Sequence, residues 1–102
     1  MKVTTWNNGS FNQCGLGYGI RIPKDSRDKF FNKEWDSIIL HIEDEEVEIK
    51  LHDRFWTTCN ELRSKEIGKY LIKYGLGKWG KGEPHELDLS IYTYREFRLE
   101  RY

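Results

Sequence analysis

The sequence predicts an α+β fold: a small mixed β-barrel (a pseudobarrel) of about six or seven short strands with two helices. Three observations lead there. Apolar residues alternate over short stretches bounded by turn residues, which is the period of half-buried strands. Only two stretches have helical character, and they do not alternate regularly with the strands, which argues against a doubly wound parallel sheet. Four Trp, five Phe and six Tyr supply enough large side chains for a core, although hydrophobic residues make up only 37 % of the chain. With 102 residues there is room for one domain and no second core, since domains usually run to ~100–200 residues.

The elements follow in order. Lys2–Trp6, rich in Val and Thr, reads as a first strand. Asn7 to Gly17 opens with Asn-Asn-Gly-Ser and closes with two glycines, which is turn chemistry. That loop exceeds the ~2–5 residues of an ordinary hairpin. Tyr18–Ile22 reads as a second strand, ended by Pro23. Asp25-Ser26 can cap a short helix through Asn32, with Phe30 and Phe31 inward and Arg27, Lys29 and Lys33 outward. Trp35–Glu43 is the strongest strand, Glu43–Glu46 its turn, and Val47, Ile49 and Leu51 alternate with charged residues on the way back. His52–Asn60 reads equally as a short strand or an extended loop. Ser64 then caps a helix in which Ile67, Tyr70, Leu71 and Tyr74 form one apolar stripe, with Gly75 as its stop. A loop rich in Gly and Lys runs from Leu76 to Pro84. Leu87–Ile91 alternates as a strand, Tyr92–Arg95 turns, and Phe97 and Leu99 mark the last strand.

Seventeen basic and seventeen acidic residues cancel overall, but they are segregated. Glu43, Asp44, Glu45, Glu46, Glu48 and Asp53 face Lys50 alone, whereas Arg54, Arg63, Lys65, Lys69, Lys73, Lys78 and Lys81 face only Glu61 and Glu66. Local field, rather than net charge, governs binding of a polyanion. The longest apolar run, Ile38-Ile39-Leu40, is far too short for a membrane helix. The first residues have no apolar stretch of the signal-peptide kind, which points to the cytoplasm. Cys14 and Cys59 stand alone, with no CxxC and no zinc-ligand spacing, and free thiols are the expectation.

One segment resembles a known family. Gly19-Ile20-Arg21-Ile22-Pro23-Lys24, running into Asp25–Phe31, is similar to the strand-to-short-helix opening of B3-type DNA-binding pseudobarrels, which occur in plant transcription factors and in effector-binding domains of some restriction enzymes. A charged hairpin follows in that family, as Ile38–Leu51 does here, and then a second helix, matched by Ser64–Tyr74. Before its last strands the family shows an apolar residue, two variable positions and Gly-Asp. Trp79-Gly80-Lys81-Gly82-Glu83 has that shape, with Glu in place of Asp and a longer approach to Leu87. Trp6-Asn7-Asn8-Gly9 and Gly17-Tyr18-Gly19-Ile20-Arg21 also resemble recurrent features of small uncharacterised bacterial proteins, a likeness that implies no activity.

The B3 resemblance implies binding of double-stranded DNA by two arms, the loop between the first two strands and the loop after the charged hairpin. By position the first arm offers Asn7, Asn8, Ser10, Asn12 and Gln13, and the second Arg54, Trp56, Thr57, Thr58 and Asn60. Amides can pair with adenine, Arg with guanine, and hydroxyls with phosphates. Arg63, Lys65, Lys69 and Lys73 would add the electrostatic attraction that dominates affinity, the three lysines falling on one helix face. A clamp of this kind requires the two loops to stand side by side. Asn, Gly and Ser are also what any turn contains, so the alternative is a non-catalytic domain that binds protein or a small ligand, or that forms a homodimer.

No enzyme is expected. Val47-Glu48-Ile49-Lys50 matches half of a metal-dependent nuclease motif, with Asp36 as the needed second acid, but an amphipathic strand with a charged wet face gives the same pattern. His41 lies near Glu48 if the hairpin turns at Asp44-Glu45, so a carboxylate partner is expected rather than a His41–His52 metal pair. The glycines of Gly75–Gly82 follow a helix rather than precede one, unlike a phosphate-binding loop. These readings leave no cofactor and no metal.

Overall fold

The structure, a computed structural model, describes residues 1–10 and 13–102. Among them run β1 (Lys2–Asn7), β2 (Tyr18–Arg21), α1 (Lys24–Phe30), β3 (Ser37–Ile42), β4 (Glu45–Lys50), a single 3₁₀ turn (Asp53–Trp56), β5 (Glu61–Arg63), α2 (Lys65–Lys73), β6 (Glu86–Thr93) and β7 (Glu96–Arg101). The strands form one seven-stranded sheet in the order β4-β3-β7-β6-β1-β2-β5. Every pairing is antiparallel except β3 with β7. The sheet curls until its two edge strands, β4 and β5, come close, which makes a nearly closed barrel. The expected α+β barrel with two helices is the fold observed.

Alternation fills the interior. Val3, Ile20, Ile38, Leu40, Leu62, Leu87, Leu89 and Leu99 point inward and are buried, each contributing roughly 1.5–3 kcal/mol relative to exposure. The helices sit at opposite ends, because α1 follows the end of β2 and α2 follows the end of β5, and those two strands run antiparallel. α1 leaves Phe31 stacked on Phe97, ring centroids 4.6 Å apart, and 5.3 Å from Phe55. At the other end α2 drives Ile67, Tyr70 and Leu71 into the core. Ser64 caps it by accepting the Glu66 amide at 3.1 Å. Gly75, with φ +72°, closes it, and the Leu76 amide reaches back to the Leu71 carbonyl.

Several local expectations need correction. α1 begins one residue after Pro23 with no side-chain cap, so Asp25-Ser26 does not cap it. Arg27, expected outside, is only 6 % exposed, and Phe31 rather than Phe30 takes the deep position. The β3–β4 turn is two residues long, with Glu43 at φ +54° and Ile42 opposite Glu45. The turn is two residues shorter than the expected Glu43–Glu46, so His41 stands opposite Glu46, and it is Ile39 that faces Glu48. His41 meets carboxylates as expected, with Nε2 2.6 Å from Glu96 and Nδ1 3.9 Å from Glu46.

The long loop after β1 is tied to α2 by two glycines. Gly15 lies flat against Gly68, so a Cβ at Gly68 would overlap the Gly15 carbonyl, and one at Gly15 would overlap the Lys65 carbonyl. Gly68→Ala therefore separates local from tertiary effects. Helix propensity alone favours alanine by about 1 kcal/mol, whereas backbone overlap costs about 1–3 kcal/mol. The variant is expected to unfold at lower urea concentration than the parent, and an unchanged or raised midpoint would mean the two backbones are not in contact.

Candidate nucleic-acid interface

The outer face of β1, β2 and β5 is set by strand parity. Val3, Thr5, Ile20 and Leu62 face inward, which turns Thr4, Trp6, Gly19, Arg21, Glu61 and Arg63 outward. Trp6 pairs with Gly19, and Gly19 with Arg63, so the three form one row across the face. Because Gly19 has no side chain, the Arg63 guanidinium crosses it and lies 4.7 Å from the centre of the Trp6 ring. A Cβ at Gly19 would instead meet the Leu62 carbonyl. Arg63 Nη2 also donates to Glu61 Oε1 at 2.7 Å, giving that carboxylate, 4 % exposed, its charge partner. Trp6, Asn8, Leu16, Arg63, Ser64 and Lys65 line a shallow depression of about 320 Å³ here.

The first polar segment supplies one wall of this depression, and its amides are largely spent on holding its own shape. Asn7 Oδ1 accepts the Gly9 amide at 2.7 Å while its Nδ2 donates to the Ser10 carbonyl, and Asn8 Oδ1 accepts the Ser10 amide at 3.0 Å. These are side-chain turns of the kind Asn favours. Ser10 and Gln13 are exposed, with Gln13 beside Tyr18 and Ile72, and Asn12 lies outside the described residues. Through the Gly15–Gly68 contact the segment is held against the first turns of α2, where Lys65 and Lys69 are exposed.

Lys73 does not join them. Its Nζ lies 3.2 Å from Glu43 Oε1, and the Tyr74 hydroxyl donates to the other Glu43 oxygen, so the last turn of α2 faces the acidic hairpin. Tyr74 and Lys73 together hold the Glu43 carboxyl below its ordinary range, and the Glu43 bond holds the Lys73 ammonium above its own. The expected row of three lysines is thus divided, two beside the first loop and one neutralised by the hairpin.

The second polar segment lies elsewhere. In the antiparallel β2–β5 ladder Gly19 faces Arg63 and Arg21 faces Glu61. Residues just before β5 must therefore sit beside the end of β2, whereas the first loop precedes its start. Asn60 accordingly faces Ile22: the Ile22 amide donates to the Asn60 carbonyl, and the Asn60 side-chain amide donates to the Ile22 carbonyl. From Gly17 to Ile22 the strand rises about 16 Å, and this separates the two segments. The expected side-by-side clamp is not formed. Arg54, Thr57 and Thr58 are exposed at the α1 end, while Trp56 is half-buried, edge-on to Phe55 with ring centroids 5.2 Å apart.

The comparisons with protein-family models, curated proteins and solved structures gave no match to this chain. Among the described residues no group of His, Cys, Asp or Glu side chains is arranged to hold a metal ion, and no helix is long and apolar enough to cross a membrane. Glu48 is engaged by the Ser37 hydroxyl at 2.8 Å. Sequence reasoning missed Trp6 and Leu16 as members of the depression. The signal for Trp6 was present, since it shares outward parity with Thr4 and stands beside a strand that contains a glycine.

The Glu43 contacts make acid sensitivity testable. A carboxyl held low in the fold adds stability that is complete above its unfolded pKa of ~4.3 and fades as pH falls through the lower folded value. Glu43→Gln is expected to lower the urea midpoint at neutral pH and to converge on the parent as the pH drops through that window. A constant difference at all pH values would show that charge is not the source.

Proposed function

We propose that this chain is a DNA-binding module that contacts double-stranded DNA at the α2 end of the barrel. The observation that carries the reading is the Trp6–Arg63 stack with Asn8 and Lys65 in one depression and Lys69 on the next turn of α2. Cationic side chains on a rigid frame supply phosphate contacts, which give most of the affinity for a polyanion. Of the acids near this face, Glu61 is buried and paired with Arg63, and Glu66, in the first turn of α2, is half-buried and accepts the Ser64 hydroxyl at 3.2 Å. The acidic hairpin next to this end is partly neutralised by Lys73. A small barrel capped by two helices is compatible with nucleic-acid and ligand-binding domains in general. The order of its elements agrees with the B3-type resemblance, in which the loop between the first two strands is one of the gripping arms.

This reading is narrower than the two-arm one, because the second segment stands at the far end of β2 and β5. Arg63, Lys65 and Lys69 make up the cationic contact, and Asn8 is positioned to reach an edge or a phosphate beside them. Arg54 and Asn60 drop out of the interface.

A duplex pool of random sequence is expected to be retarded in a gel at about 50 mM salt. With three phosphates neutralised, affinity should fall by about 40-fold on going to about 200 mM. Arg63→Ala and the Lys65→Ala/Lys69→Ala pair should each weaken retardation, with Arg54→Ala leaving it unchanged. Absence of retardation at the lower salt concentration would overturn the proposal, and loss through Arg54→Ala alone would move the interface to the other end.

A further inference from the structure

We infer a second, separate binding site at the α1 end of the barrel, built for a small anionic ligand that carries a flat aromatic ring. A cleft of about 830 Å³ opens there, within the range of small-molecule sites. Its walls include Phe30, Trp35 and Trp56, all half-buried, so each keeps part of a ring accessible. The Trp35 ring is fixed from behind, edge-on to Phe31 and with Nε1 donating to the Tyr94 hydroxyl at 3.1 Å. Trp56 is fixed by Phe55.

Arg27 also lines the cleft and is the one buried arginine or lysine among the described residues. A buried charge is costly unless it is paired and hydrogen-bonded. Arg27 Nε donates to Asp28 Oδ1 at 3.0 Å, Nη1 donates to the Phe55 carbonyl at 2.9 Å, and the guanidinium lies 5.7 Å from the centre of the Trp56 ring. Nη2 has no protein partner among the described residues, and it is not sealed from solvent. The cleft is thus lined by a guanidinium held in place through Nε and Nη1, with an aromatic neighbour. A planar guanidinium suits carboxylate and phosphate oxygens.

Charge around the cleft points the same way. Lys29 and Lys33 line it and are exposed, and neither forms an ion pair with a described residue, while Asp28 is paired with Arg27. An occupant therefore meets cations and rings interleaved, with Arg27 against Trp56 and the Lys29 ammonium 5.3 Å from the centre of the Phe30 ring. That combination fits a mononucleotide or an aromatic carboxylate, which share a flat ring and an anionic group. Trp56, expected from the sequence to touch DNA, instead belongs to this cleft. The inference does not depend on the DNA reading, since the two sites share no residue.

The four tryptophans allow a direct test, because each indole N–H gives its own NMR resonance. AMP and benzoate are titrated separately into the full chain, with inorganic phosphate as the anion-only control. The expected result is a saturable shift of the Trp56 and Trp35 signals by AMP, benzoate or both, with Trp6 and Trp79 unmoved and phosphate without comparable effect. Which of the two organic anions binds identifies the source of the shared chemistry. Lys29→Glu/Lys33→Glu, two surface changes that leave the packed interior alone, should weaken binding at least tenfold, while Arg63→Ala leaves it unchanged. The proposal is overturned by any of three results: no saturable shift up to millimolar ligand, shifts confined to Trp6, or phosphate alone reproducing the effect. Arg27→Gln with an unchanged affinity in a folded variant would also overturn it.

Discussion

The parallel pairing of β3 with β7 is the constraint on which the rest of the architecture depends. All other neighbours in the sheet are antiparallel, and this parallel pairing attaches the β3–β4 hairpin to the far side of β7. The seam is held by the Ile39 amide donating to the Arg95 carbonyl at 3.0 Å and by His41 against Glu96. Leu40, Ile42, Phe97 and Leu99 come into register there, which makes the seam dry on its inner side. Once the hairpin is placed, twist brings β4 round toward β5, and a layer becomes a barrel with two ends to be stoppered. Each helix closes one of those ends, and each end then carries its own chemistry.

The elements whose side chains repeat regularly were legible in the amino-acid order. The α2 stripe, its Ser64 cap and its Gly75 stop are all local signals, as is the alternation along β4, β6 and β7. What was not legible depends on partners distant in the chain. β5 is three residues long, too short to show a period, and its Glu61 is buried and paired with Arg63. Arg27 reads as an outward charge on a short helix, yet it is drawn in by a carbonyl that stands at Phe55. Nothing near Arg27 in the chain announces that contact. A turn two residues shorter than expected moved His41 from Glu48 to Glu46, showing how loop length resets every cross-strand neighbour.

The candidate site was legible in part for the same reason. Residue types suited to nucleic acid could be picked out, but the end of the barrel from which each loop emerges is decided by strand direction. Antiparallel pairing of β2 and β5 sends the segment after β4 to one end and the segment after β1 to the other. Lys73 illustrates a related limit. Its helical spacing with Lys65 and Lys69 is real, yet the hairpin turn reaches it and makes an ion pair of what the spacing alone presents as a free cation.

The gap between β4 and β5 has a bearing on how copies of this chain behave at high concentration. A barrel that stops short of sealing retains two rims of unsatisfied main-chain groups, which in other sheets recruit strangers into extended fibrils. Here one rim is only three residues long, and the other sets Glu45, Glu46, Glu48 and Lys50 outward along its length. A visiting strand would have to strip water from three carboxylates and an ammonium before making its first bond. The slot can therefore stay ajar without becoming an invitation to stack.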